Sequence, residues 1–145
     1  MSLPPPRAGL VISYSYLWAR EHSRGSEEGL KDRPCAIVAA RQVLQGIEVV
    51  TVLPVTHSLP ADPADAVEIP AMLKQHLGLD ALRSWIVVTE TNEFLWPGPD
   101  LRPRPGLQPS RFDYGMLPPR FYAYVRDRVL QAHSQRRLTR VRRSD

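Results

Sequence analysis

Four side chains of this chain have the types and placement to act on a phosphodiester. Arg33 stands directly before Pro34, and a proline holds the residue before it extended, so Arg33 sits at the mouth of the apolar run CAIVAA (35–40). A guanidinium fixed there could clamp a phosphate through two parallel hydrogen bonds. Thr56 lies just beyond the run IEVVTVL (47–53), in PVTH. Its hydroxyl could donate to a phosphoryl oxygen or stabilise a turn. His57 follows it and could serve as a general base or acid near neutral pH. Glu90 ends the run WIVVT (85–89) and could be a carboxylate base. Trp18, Trp85 and Trp96 offer faces on which bases stack. Trp18 and Trp85 read as core residues, whereas Trp96 leads into a Pro-rich stretch and is the more open case. Cys35, inside an expected strand, reads as an inert buried residue.

Other chemistries find no footing. There is no Gly-rich phosphate loop and no G-x-S-x-G elbow. His22, His57, His76 and His133 do not fall at metal-ligand spacing, and no acidic pair accompanies them. A metal enzyme is therefore disfavoured, and no cofactor is expected. One cysteine excludes an internal disulfide framework and fits a reducing compartment. No apolar stretch approaches the roughly 20 residues of a membrane span, and MSLPPPRAGL has no signal-peptide core.

The elements that must position these residues are short. Residues 9–18 (GLVISYSYLW) alternate as a half-buried strand, with Leu10, Ile12, Tyr14, Tyr16 and Trp18 on one face. Residues 19–32 are polar and read as a long exposed loop. The runs 35–40 and 47–53 form a hairpin around Gly46. A Pro-rich loop (54–65) and a short strand (66–69) follow. A helical turn or two begins after Pro70, and Gly78 stops it. Residues 85–89 are a further strand. Residues 96–111, with five Pro and two Gly, can only be a loop. Pro118 and Pro119 open a helix to about residue 135, with Phe121, Val125 and Val129 as its buried stripe. Five or so short strands with few helices favour a small, strongly bent barrel or sheet.

The 145 residues suit one domain. The net charge of +4 resides in the last ten residues, which hold five Arg and one Asp; the remainder is balanced. Such a tail can bind a phosphate backbone or an acidic partner, or can simply be a solvated terminus.

The order of these pieces resembles the PemK/MazF-like toxins of bacterial type II toxin–antitoxin systems. The likeness begins at Gly9 and runs through GSEEGLKDRPCAIVAA (25–40), similar to the family's G-x-E-Q-x-G-x-R-P before an apolar strand. It continues in TVLPVTHS (51–58), VEIP (67–70), LGLDALRSWIVVTE (77–90) and YGMLPPRFYAYVRDRVL (114–130). It departs from that pattern in several places. The loop between residues 25 and 33 is one residue longer, Glu28 stands where Gln is usual, Val88 and Ser26 stand where one branch has a catalytic Arg and a His, and the insertion 96–111 and the Arg tail lie outside the core pattern.

The resemblance implies a mainly β fold, an SH3-like small curved barrel with a C-terminal helix. Residues 1–8 would be a leader, 9–135 the single toxin domain with its insertion, and 136–145 a basic tail. It also implies a cytoplasmic, homodimeric, metal-independent endoribonuclease acting on single-stranded RNA and neutralised by an antitoxin. That partner would be acidic where it meets the groove, since it competes with RNA for the same cations. Arg33 then takes the family's catalytic Arg position, Thr56 its Thr/Ser, and Glu90 the place of an Asp that moves protons in one branch. Base and acid roles stay open between Glu90 and His57. Glu28, Lys31, Ser58, Arg83 and Trp96 are the candidate RNA contacts. The alternative reading is a non-catalytic DNA- or RNA-binding module on the same fold, holding nucleic acid through the Arg tail. A poison of DNA gyrase is disfavoured, because the C-terminal end is too basic and polar to insert into a protein partner.

Overall fold

The computed structural model describes residues 3–26, 29 and 31–143. The chain is mainly β: eight strands in one largely antiparallel sheet, with three helices. The strands are β1 (Leu10–Tyr14), β2 (Arg33–Gln42), β3 (Glu48–Thr56), β4 (Ala66–Glu68), β5 (Trp85–Val87), β6 (Glu90–Leu95), β7 (Asp113–Met116) and β8 (Thr139–Arg142). The helices are α1 (Ala19–His22), α2 (Ala71–Leu77) and α3 (Pro119–Ser134). The main path runs β4-β5-β3-β2-β1-β7, while β6 pairs with β3 and carries β8 in parallel on its other side. These pairings do not close into a ring. Among the described residues no helix is long and apolar enough to cross a membrane.

The β2–β3 hairpin forms as its composition demands and is longer than expected, reaching Arg33 at one end and Thr56 at the other. Gly78 ends α2 in the left-handed conformation at φ 72°, which an L side chain rarely adopts. Strand β1 departs from the half-buried expectation, since all five of its residues are buried. The reason is that β1 to β3 lie between two hydrophobic cores. Val11, Ala36, Leu53 and Val55 join Leu73 and Leu77 of α2 and Val125 and Val129 of α3 in one core. Leu10, Ile12, Tyr14, Cys35, Ile37, Val50 and Val52 meet Phe94 and Leu101 in the other. The loop expected over 19–32 contains the single turn α1.

Strands β6, β7 and β8 have no apolar alternation to announce them. β6 buries Thr91, Asn92 and Glu93. The Asn92 amide makes both bonds to the backbone of Leu17, accepting from its N–H at 2.9 Å and donating to its carbonyl at 2.8 Å. β8 corrects the reading of a solvated tail for residues 137–143. Arg143 is buried. Its Nη1 donates to Ser15 O at 2.7 Å, Asn92 Oδ1 at 3.1 Å and Tyr14 Oη at 3.2 Å, and its Nη2 pairs with Asp100 at 3.0 Å. Arg140 pairs with Glu93 at 3.0 Å, and Arg137 pairs with Asp65.

Removing one partner of a buried ion pair leaves the other charge uncompensated. Arg143→Ala is therefore expected to lower the unfolding free energy by about 3 kcal/mol, measured by chemical denaturation, whereas Arg142→Ala on the exposed side of β8 should change it little.

Candidate active site

The β2–β3 register sets the site. Cys35 faces Pro54 and Ala36 faces Leu53; just before them Arg33 pairs with Tyr14 of β1, and its side chain reaches the end of β3. The Arg33 guanidinium is held in two ways. Its Nη1 donates to Val55 O at 3.1 Å. Its plane lies over the Trp18 ring at 5.0 Å, while Arg20 covers the same ring at 5.2 Å. The side chain is half-buried, and its Nε is buried without a hydrogen-bond partner among the described residues. Burial pushes the guanidinium below its ordinary pKa, and the charge of Arg20 acts in the same direction.

Arg33 lines a cleft of about 330 Å³ together with Lys31, Asp32, His57, Asp80, Arg104 and Tyr114. His57 is half-exposed, and its Nε2 lies 2.8 Å from Asp80 Oδ2. Asp80 is fixed by Lys74, a buried lysine of α2. Lys74 Nζ donates to Asp80 Oδ1 at 2.7 Å, to Ser84 Oγ at 2.6 Å and to Leu82 O. Burial alone would raise the Asp80 carboxyl; the hydrogen bond and charge of Lys74, joined by those of His57, outweigh it and hold it below the usual carboxylate range. An ionised Asp80 can only accept, so Nε2 of His57 carries the hydrogen. Nδ1 of the neutral ring is then left with a lone pair. This is the arrangement by which a carboxylate orients an imidazole for proton transfer.

The expected residues therefore divide. Arg33, His57 and Lys31 share the cleft. Thr56 is beside it in the chain, but its Oγ1 accepts from Ser58 N at 3.1 Å and stabilises the turn; neither residue lines the cleft. Arg83 makes a bidentate pair with Glu68, both bonds at 2.8 Å, and stacks on Trp85. Trp96 packs against Phe94 in the second core. Glu28 lies outside the described residues. Glu90 stands away from the lining: it accepts from Ala19 N at 2.9 Å and Tyr16 Oη at 3.1 Å, tying α1 to β6. Cys35 is buried, and burial pushes its thiol well above the ordinary range. Asp80, Lys74, Arg104 and Tyr114 were not singled out from the sequence. The one signal for the first two is a lysine next to the apolar position Leu73 of an amphipathic helix, six residues before an aspartate.

Among the described residues no three His, Cys, Asp or Glu side chains gather to hold a metal ion. No protein-family model matches the chain, and no curated protein matches it.

Burial raises the Glu90 carboxyl above its ordinary value, against the opposing bonds from Ala19 and Tyr16. A carboxyl raised in the fold contributes stability at acid pH that is lost as pH rises through its folded pKa. Glu90→Gln keeps an oxygen for both donors. It is expected to flatten the stability profile just above the ordinary value of 4.5, as read by denaturation between about pH 4 and 7.

Proposed function

We propose that the chain is a metal-independent endoribonuclease acting on single-stranded RNA, the toxin of a type II toxin–antitoxin pair. The observation that carries this reading is a half-buried arginine, Arg33, in one cleft with a carboxylate-oriented histidine, His57. Cleavage without metal uses the ribose 2′-hydroxyl as nucleophile. Nδ1 of His57 takes its proton. The 2′-oxygen bonds to phosphorus and the bond to the 5′-oxygen breaks; that oxygen takes a proton from water, leaving a 2′,3′-cyclic phosphate and a 5′-hydroxyl. Negative charge grows on the non-bridging oxygens of the phosphorane, and a guanidinium already in place stabilises it without reorganisation. Lys31 adds a second cation at the same cleft. Asp80 keeps the imidazole in the required tautomer, and Lys74 keeps Asp80 in position.

The remainder of the proposal rests on the ordered likeness to PemK/MazF-like toxins: an SH3-like barrel arrangement of the strands, a homodimer, a cytoplasmic location and neutralisation by an antitoxin. The alternative of a binding module working through the Arg segment has less support, since three of its five arginines are engaged in ion pairs.

The test is cleavage of a long single-stranded transcript in EDTA. Wild type is expected to give discrete fragments with cyclic phosphate ends. Arg33→Ala should slow the reaction by about 10² to 10³, and Arg33→Lys should restore little of it, because an ammonium lacks the bidentate fork. His57→Ala should cost about 10² or more, and Asp80→Asn a smaller factor. Intact RNA from folded wild type would overturn the proposal.

A further inference from the structure

The cleft contains a second guanidinium that the phosphate chemistry does not use. Arg104 belongs to the sequence RPRP (102–105), inside the long loop between β6 and β7. Pro103 and Pro105 restrict the backbone on both sides of it, and its own N–H donates to Arg111 O at 2.6 Å. The guanidinium lies over the ring of Tyr114 on β7, 4.3 Å from the centroid. Its Nη1 donates to Asp113 O at 3.3 Å. Its Nη2 reaches the end of α2, 3.0 Å from where a Cβ on Gly78 would stand. Tyr114 is itself half-buried against the first core, so the stack rests on a rigid strand.

The charge of Arg104 is also uncommitted. Two other stacked arginines spend theirs on carboxylates: Arg83 over Trp85 pairs with Glu68, and Arg143 over Tyr14 pairs with Asp100. Among the described residues Arg104 has no carboxylate partner. A planar cation backed by an aromatic ring, with no counter-ion, in the same cleft as Arg33, suits the flat face of an unpaired nucleobase. The cleft of about 330 Å³ is at the small end of ligand sites, the size for one nucleotide and not for a duplex.

We infer that Arg104, supported by Tyr114, is the base platform of the cleft: it stacks on an unpaired base next to the phosphate held by Arg33, and it favours a purine. The inference rests on the proposed RNA cleft and adds to it the substrate class and the residue that selects it. Stacking strength grows with the face of the base, so adenine outranks uracil where neither edge is read.

The experiment uses two cleavage-blocked probes, 2′-O-methyl oligo(A) and oligo(U) of equal length, with full-chain wild type and Arg104→Lys. The lysine retains the charge and loses the plane. Wild type is expected to bind oligo(A) roughly tenfold more tightly than oligo(U), and Arg104→Lys to bind both equally. Equal binding by wild type, or a purine preference that survives in Arg104→Lys, overturns the inference. If wild type still cleaves the transcript in EDTA in those cases, the nuclease reading stands without it. A wild type that neither binds the probes nor cleaves RNA overturns both.

Discussion

The register of β3 is the constraint on which the other elements depend. This strand pairs with β2, with β5 and with β6, and its residues supply both hydrophobic cores. Val50 and Val52 point to one core, Leu53 and Val55 to the other. A slip of one residue would exchange the faces and put apolar side chains in water. The same register brings Arg33 to the end of β3 and gives its Nη1 the carbonyl of Val55. Core packing and the position of Arg33 are thus set by the same register.

The second dependence is a buried polar knot. Asn92 of β6, Tyr14 of β1, the backbone at Ser15 and Leu17, and Asp100 of the long loop all meet around Arg143. Burying a charge is costly unless its partners are complete. Here the Arg143 guanidinium has a carboxylate, a carbonyl, an amide oxygen and a phenol oxygen. The knot connects the first strand to the last, and it ties down the long loop at Asp100, four residues before Arg104. The loop that forms part of the cleft is thereby anchored through the C-terminal strand.

What was legible in the sequence follows from how each element is stabilised. The β2–β3 hairpin, β4, α2 and α3 are held by apolar patterning and turn chemistry, and these are local properties. The short strand WIV was visible for the same reason. β6 and β8 are held by side chains that find their partners only in three dimensions. ETNEFL and TRVR carry polar residues that the knot buries, so a pattern reading passes over the first and takes the second for a solvated tail. At the site, Arg33 was legible because Pro34 fixes its backbone, and His57 because it adjoins the strand end. Asp80 was not, because its role depends on Lys74 folding back across the end of α2. Glu90 opens β6, where the sequence placed it at the close of a strand over 85–89. Its bonds, however, go to Ala19 and Tyr16, where a carboxylate braces a corner.

Arg33 itself shows why a stable fold would keep an imperfect contact. Of its N–H groups, one is satisfied by Val55 O, and Nε is buried with no partner among the described residues. An unsatisfied buried donor costs about 1–3 kcal/mol. Arg20, on the same Trp18 ring, adds the repulsion of a second cation. A side chain selected for packing alone would have neither feature. Both fit the proposed phosphate chemistry, in which a cation short of partners gains most from a new anion. The Trp18 ring makes the arrangement tolerable in its absence, since its face attracts both guanidinium groups. The cost is small beside the stabilisation of two intact cores, and it is located at the first residue of β2.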